Sequence, residues 1–309
     1  MRHIGIIGSG PAGLTAAIYA ARGGVKATVW AGPEPGGQLM LTTEVENYPG
    51  FKKAVLGPAL MEEMTEQAKA CGAEIITEEI MNFEKKEKKI ILQGTHQYYE
   101  CDALIISTGA KTQWLGLESE AYFRGYGVSS CAVCDGRFFK DRSVAVVGGG
   151  NTAVEEALYL SNQCSQVILV HRRHQLRAEK VLQKRLFTTP NVRIMWNHVL
   201  EEVLGVRSSH KYVTGIKLRD LESNVLQQVD VDGVFIAIGH KPETHWMHGK
   251  LKLDPQGYIL CSKGSTHTSC LGVFAAGDVM DAVYRQAVTA AGFGCMAALD
   301  AMNFLENLP

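Results

Sequence analysis

The sequence lacks several features that would steer a functional reading. Charge of one sign is missing: 31 Lys+Arg stand against 32 Asp+Glu over 309 residues, a formal net charge of −1. No long-range field therefore draws the chain toward nucleic acid or anionic lipid. Apolar runs read as too short to approach the ~20 residues that cross a bilayer. The opening M-R-H-I-G-I-I-G-S-G-P-A-G-L has the charge and apolar stretch of a signal peptide, but its glycines and Pro11 interrupt it and no small-residue cleavage site precedes Tyr19. It reads as a buried strand followed by a tight turn, and the cytosol is the compartment expected by default. A second C-x-x-C is also absent, so Cys131 and Cys134 have no matching pair to complete a zinc site.

What is present is length, glycine and an internal repeat. At 309 residues two compact units are expected. Much of the glycine, 32 residues in all, sits in two short clusters. Residues 3–32 and 143–173 follow one plan: an apolar strand, crowded small residues, an alanine-rich helix and a second apolar strand. These are two nucleotide-binding βαβ units about 140 positions apart, too far to be halves of one small sheet. Short apolar runs ending on glycine follow at Ala103–Gly109 and Gly233–Gly239, and a third, ending Gly277-Asp278, at Gly272–Asp278. The charged stretch Glu84–Lys89 reads as a solvated surface beside a hairpin. The fold class is α/β, with two Rossmann-like three-layer domains, one inserted into the other. The outer domain takes 1–112 and 244–309 and the inserted domain 113–243, with linkers near Lys111–Gln113 and Lys241–Thr244.

Gly8-Ser9-Gly10-Pro11-Ala12-Gly13 fits G-x-G-x-x-G between strand and helix. The first glycine permits the turn, the second lets a pyrophosphate approach the backbone, and the third lets the helix pack on the sheet. The helix N-terminus offers free N–H groups to the phosphate. An acid is expected about 20 positions later to hold a ribose, yet the second strand ends Val29-Trp30-Ala31-Gly32, and Glu34 follows slightly late. The motif alone leaves FAD and NAD open. The second motif runs Gly148-Gly149-Gly150-Asn151-Thr152-Ala153, and its second strand ends His171-Arg172-Arg173, with Arg177 four residues later. A carboxylate there would repel a 2′-phosphate, whereas guanidinium groups bind it in bidentate fashion. This site reads as specific for NADPH.

Of eight cysteines, Cys71, Cys101, Cys164, Cys261, Cys270 and Cys295 are scattered and read as small hydrophobes. Cys131 and Cys134 stand alone at close spacing, in C-A-V-C-D, and two residues between thiols close a small, readily reduced ring. They read as a redox pair. Asp135 next to them is either an acid that protonates a departing thiolate or a helix cap.

With these parts in place, the chain resembles the low-molecular-weight thioredoxin reductases of bacteria over essentially its full length. The resemblance rests on both glycine motifs, Gly36-Gly37-Gln38-Leu39, Thr43-Glu44-Val45-Glu46-Asn47, C-A-V-C-D-G at 131–136, G-G-G-N-T-A-V-E-E-A at 148–157, H-R-R-x-x-x-R-A at 171–178 and G-D-V-M-D-A-V-Y-R-Q-A at 277–287. It implies FAD at the first site, with Gly36–Leu39 and Asn47 along the flavin and Gly277-Asp278 at the ribityl chain. Arg285, Gln286 and Ala287 would open a helix toward the flavin's pyrimidine edge. It implies NADPH at the second site, and a catalytic set of Cys131, which attacks the protein substrate, flavin-proximal Cys134, and Asp135. It further implies a homodimer, thioredoxin as partner, and rotation of the inserted domain between half-reactions. Three positions depart from the family pattern: Val133 replaces a commoner threonine, His174-Gln175-Leu176 replaces aspartate-glycine-phenylalanine, and Tyr126 stands where a basic residue often precedes the cysteines.

Three other functions compete. A ferredoxin–NADPH reductase of this fold usually lacks the cysteine pair. The flavoprotein partner of a peroxidase normally carries an extra N-terminal thiol domain, and none is expected before Ile4. A redox sensor would bind both nucleotides with little turnover and would not need Asp135. The NADPH assignment is tested by Arg172→Ala combined with Arg173→Ala. KM for NADPH rises by about tenfold or more, the loss of at least one charged hydrogen bond, while KM for NADH changes far less. An equal change for both nucleotides contradicts it.

Overall fold

Ile4, Ile6 and Ile7 have no polar alternation between them, and a run of this kind is stable only as a strand covered on both faces. In the computed structural model, which describes residues 2–42, 44–87, 89–208 and 210–308, His3–Ile7 is the central strand of a parallel sheet. The order across that sheet is Val273–Ala275, Ala103–Ile106, His3–Ile7, Lys26–Trp30, Glu74–Ile76. Its two faces bury different sets of side chains, as the two-residue period of a strand requires. Ile4 and Ile6 pack with the helices Pro11–Arg22, Gly57–Ala70 and Ala287–Glu306 through Leu14, Leu60 and Ala298. Ile7, Leu104 and Ile106 pack on the other side with Phe83, Ile90 and Leu92 of a three-stranded antiparallel sheet, Ile80–Lys86, Lys89–Gly94 and Tyr98–Cys101. The charged stretch Glu84–Lys89 spans this sheet's first hairpin, with Lys88 outside the described residues.

The chain divides into two compact units, 1–111 with 241–309, and 112–240. The two chain crossings, Ala110–Thr112 and His240–Pro242, pair as a two-stranded ribbon. The second unit repeats the plan of the first. Its parallel sheet runs Val128–Ser129, Gly233–Ala237, Ser143–Gly148, Gln166–His171, Val192–Trp196. Val144 and Val146 face the helix Asn151–Ser161 through Val154, Ala157 and Leu160. Ala145 and Val147 face the antiparallel strands His198–Val206 and Tyr212–Asp220 through Leu200, Val203 and Ile216. Both units are Rossmann-like, helix–sheet–sheet in layers.

One expectation needs correction. The C-terminal helix Ala287–Glu306 reaches the length and apolarity of a membrane span, with a mean hydropathy of 1.3 over an 18-residue window. The run escaped notice because small residues, not long aliphatic ones, supply its apolarity. Ala290, Ala297, Ala298 and Ala301 are buried in the core of the first unit. Their size lets this helix lie close against Pro11–Arg22: a Cβ on Gly294 would stand 2.1 Å from the carbonyl oxygen of Ala12. Gly294→Ala therefore lowers the free energy of unfolding by about 1–3 kcal/mol through overpacking, despite alanine's better helix propensity. Denaturant unfolding measures it; stability equal to or above the wild type contradicts this close contact.

Candidate functional site

The first glycine turn is held by backbone contacts that leave no space for a side chain at Gly8 or Gly13. Gly8 has φ +105°, and a Cβ there would stand 2.3 Å from the Ser107 carbonyl oxygen. A Cβ on Gly13 would stand 1.9 Å from the carbonyl oxygen of Gly8. Gly10, between them, faces open space with nothing within 4 Å. It is the N-cap of Pro11–Arg22 and carries no side-chain cap. Pro11 opens the helix without wasting an N–H, and buried Ala12 packs into the core. A cradle crowded behind and open in front, ending in uncapped helix N–H groups, fits a pyrophosphate.

Other singled-out residues gather around that turn. The Ser9 hydroxyl accepts the Gly36 N–H at 2.9 Å, and a Cβ on Gly37 would lie 3.4 Å from the Gly10 Cα. Gly37–Leu41, including Gln38 and Leu39, forms a 3-10 turn from this point. Thr43 of the following motif lies outside the described residues. Asn47 donates to the side-chain oxygen of Gln286 at 3.3 Å, bringing that loop to the start of Ala287–Glu306. Gly277, with φ +77°, abuts Ala12, whose Cβ would be 2.9 Å from its own. Asp278 is next in the chain, and burial, with Asp281 beside it, pushes its carboxyl up to about 6 against the opposing pull of Arg285. Glu34, the late substitute for a ribose-binding acid, is exposed.

Asp281 and Tyr258 escaped the sequence reading. The carboxylate of Asp281 accepts the N–H groups of Val283, Tyr284 and Arg285 at 2.9, 2.9 and 3.0 Å. That clamp holds Arg285 at φ +50° and sets the entry to the helix, where Gln286 and Thr289 form a capping box. The signal was an Asp placed two to four residues before the N–H groups it collects. Tyr258 is buried, which raises its phenol, and Arg285 beside it opposes the rise.

The second turn repeats the first. A Cβ on Gly148 would stand 2.3 Å from the Ala237 carbonyl oxygen, and Gly150 faces open space as the uncapped N-cap of Asn151–Ser161. Thr152 is in that helix's first turn. His171 lies beneath the turn and not at its mouth: it is buried, its Nε2 meets the Gln175 carbonyl at 3.0 Å, and a Cβ on Gly149 would collide with its ring at 2.1 Å. Burial lowers its pKa and favours the neutral ring. The Arg177 N–H donates to the Gly149 carbonyl at 2.7 Å, tying the arginine loop to the turn. Asn151 and Glu179 exchange two bonds across the same gap, at 3.3 and 2.9 Å. Arg172, Arg173 and Arg177 are exposed and have no acidic partner among the described residues, so this loop fits a phosphate.

Cys131 and Cys134 are joined in a disulfide with Cα atoms 5.3 Å apart. Cys131 precedes the short helix Ala132–Asp135, and the N–H of Cys134 donates to its Sγ at 3.2 Å. Ser129 organises both neighbours: its hydroxyl accepts the Cys131 N–H at 3.1 Å and bonds Asp135. Burial raises the Asp135 carboxyl, and the Ser129 bond opposes this. Asp135 makes no capping bond to the turn Gly136–Phe139 that it precedes. Val133 is exposed. The exposed ring of Tyr126 carries a cation after all, because Lys211 Nζ stands 4.0 Å from it and 4.7 Å from Tyr122.

Comparison with known proteins agrees with this geometry. Residues 2–294 match the family described as pyridine nucleotide-disulphide oxidoreductase. The chain is 53% identical to the thioredoxin reductase of Rickettsia typhi, covering 98% of this chain and 97% of that one. It is 52% identical to that of Vibrio cholerae, covering 98% and 96%. Thioredoxin reductase from Giardia duodenalis superimposes with a TM-score of 0.94 at 39% identity, covering 99% of this chain and 100% of that one. The paired glycine turns, the disulfide and these similarities agree: the chain belongs to the pyridine nucleotide-disulphide oxidoreductase family.

Proposed function

We propose that the chain is a thioredoxin-disulfide reductase driven by NADPH, with FAD held by the unit built from 1–111 and 241–309. The observation that carries this reading is the closed Cys131–Cys134 disulfide, in the same unit as an arginine-flanked glycine turn. When bound, FAD supplies a two-electron relay between NADPH and that disulfide. Gly8, Ser9, Gly10, Pro11, Ala12 and Gly13 would hold its pyrophosphate. Gly36, Gly37, Gln38, Leu39 and Asn47 would line the flavin, and Gly277 and Asp278 the ribityl chain. Arg285, Gln286 and Ala287 would bring a helix N-terminus to the flavin, favouring negative charge there. Gly148, Gly150, Asn151 and Thr152 would hold the NADPH pyrophosphate. Arg172, Arg173 and Arg177 would grip its 2′-phosphate, with His171 positioning the turn from beneath.

The protein half-reaction follows from the chain's own groups. The Cys131 thiolate attacks one sulfur of the thioredoxin disulfide, and the other sulfur leaves as a thiolate. Asp135, whose carboxyl burial keeps protonated to higher pH, donates a proton to it. Cys134 then attacks Cys131, closing the disulfide and releasing the second thiol. Two chain crossings join the units, which gives the 112–240 unit a hinge on which to turn between half-reactions.

Two wider assignments belong to the same reading. A homodimer is supported by an open groove of about 910 Å³ among the helices of the first unit, lined by Ile18, Tyr48, Phe51, Met64 and Val288. The cytosol is supported by six unpaired cysteines, which persist as thiols in a reducing compartment.

Thioredoxin-dependent NADPH oxidation is lost in Cys131→Ser and in Cys134→Ser; full turnover in either contradicts the dithiol mechanism. A wild-type flavin that bleaches without steady turnover would favour a sensor instead. Asp135→Asn lowers thioredoxin turnover on the order of 10²-fold. Because the carboxyl is raised, wild-type turnover holds below its pKa and falls as pH climbs through it, and the Asn variant loses that limb. An unchanged pH–rate profile removes Asp135 from the acid role.

A further inference from the structure

A second sulfur cluster lies in the unit built from 1–111 and 241–309. Cys261 Sγ stands 3.8 Å from Met280 Sδ. Both residues border a cavity of about 280 Å³ that Met296, on the helix Ala287–Glu306, also lines. We propose that Cys261, Met280 and Met296 form a binding site for Cu(I).

The donor set selects the ion. A thiolate and two thioethers are soft ligands, which favour Cu(I) over zinc, magnesium or calcium. Among the described residues no group of three His, Cys, Asp or Glu side chains is placed to hold a harder metal. The nearby carboxylate of Asp300 is already engaged, accepting Ser265 Oγ at 2.9 Å, the Thr266 N–H at 3.0 Å and Thr266 Oγ1 at 2.7 Å. Spacing agrees as well. With metal–sulfur bonds of about 2.3 Å and bond angles between tetrahedral and trigonal, two sulfurs on one ion lie about 3.8–4.0 Å apart. The thiol and thioether already stand at that separation, so metallation needs little movement of either.

The change on binding is balanced. The Cys261 thiol gives up its weak contacts to the Met280 thioether, at 3.8 Å, and to the Thr266 carbonyl, at 3.7 Å. Burial and Asp300 push its pKa up to about 11, so the ion must displace the proton, which passes to solvent. The thiolate and Cu(I) then form a neutral pair, which a half-buried, largely apolar pocket accepts far more readily than a lone charge. Both methionine sulfurs bind without losing a proton, and their flexible side chains adjust to the ion.

The test is competition for Cu(I) between the FAD-loaded protein and a chromogenic Cu(I) chelator, with a reductant that leaves Cys131–Cys134 closed. One tight site per chain is expected. Cys261→Ser abolishes it, and Met280→Leu and Met296→Leu each weaken it at least about tenfold, since losing a ligand costs no less than losing a group that merely orients one. Retained FAD and NADPH oxidation in each variant show that the fold is intact. Tight binding that survives Cys261→Ser overturns the proposal. So does wild-type affinity in both methionine variants, which would leave only a lone reactive thiol.

Discussion

A Cβ on Gly8 would stand 2.3 Å from the Ser107 carbonyl oxygen, and in the second unit a Cβ on Gly148 would stand 2.3 Å from the Ala237 carbonyl oxygen. At both places the first strand ends hard against the backbone of its neighbour before the chain turns into a helix, and only glycine fits at that strand end. That approach aims uncapped N–H groups at open space over Gly10 and over Gly150. Everything else at the nucleotide sites is arranged relative to these turns. Ser9 draws in the Gly36 loop, Gly277 rests on Ala12, and Arg177 hangs its loop from the Gly149 carbonyl.

The redox centre depends on a different kind of constraint. Ser129 sits two residues before Cys131 and bonds both the Cys131 N–H and Asp135. One hydroxyl thus fixes the entry to the disulfide loop and the carboxyl that follows it. Burial of that carboxyl raises its pKa while the Ser129 bond limits the rise. The group is thereby suited to hold a proton to higher pH than an ordinary aspartate and still release it.

Much of this was legible in the sequence because it is local. The two glycine motifs, the apolar strands at Ile4–Ile7 and Val144–Val147, and the cysteine spacing each lie within a dozen residues, where spacing alone reports geometry. What was not legible involves contacts at long range or packing by small side chains. His171 belongs to a basic cluster in the sequence, yet it is buried under Gly149. Tyr126 reads as the loss of a cation, which Lys211 restores from far along the chain. The apolar character of Ala287–Glu306 was hidden in alanines and glycines. For Asp135, the absent capping bond to the following turn and the contact to Ser129 are likewise set by the fold. Neither is encoded in the residue type.

The central claim is that reducing equivalents from NADPH reach the Cys131–Cys134 disulfide only through the bound flavin. The most direct measurement is anaerobic: the FAD-loaded protein is mixed with excess NADPH, its thiols are alkylated, and the labelled cysteines are located by mass spectrometry. The account predicts new labelling at both Cys131 and Cys134 in the FAD-loaded protein and none in protein stripped of FAD. A flavin that is fully reduced while the pair stays unlabelled would contradict it, as would equal labelling without FAD.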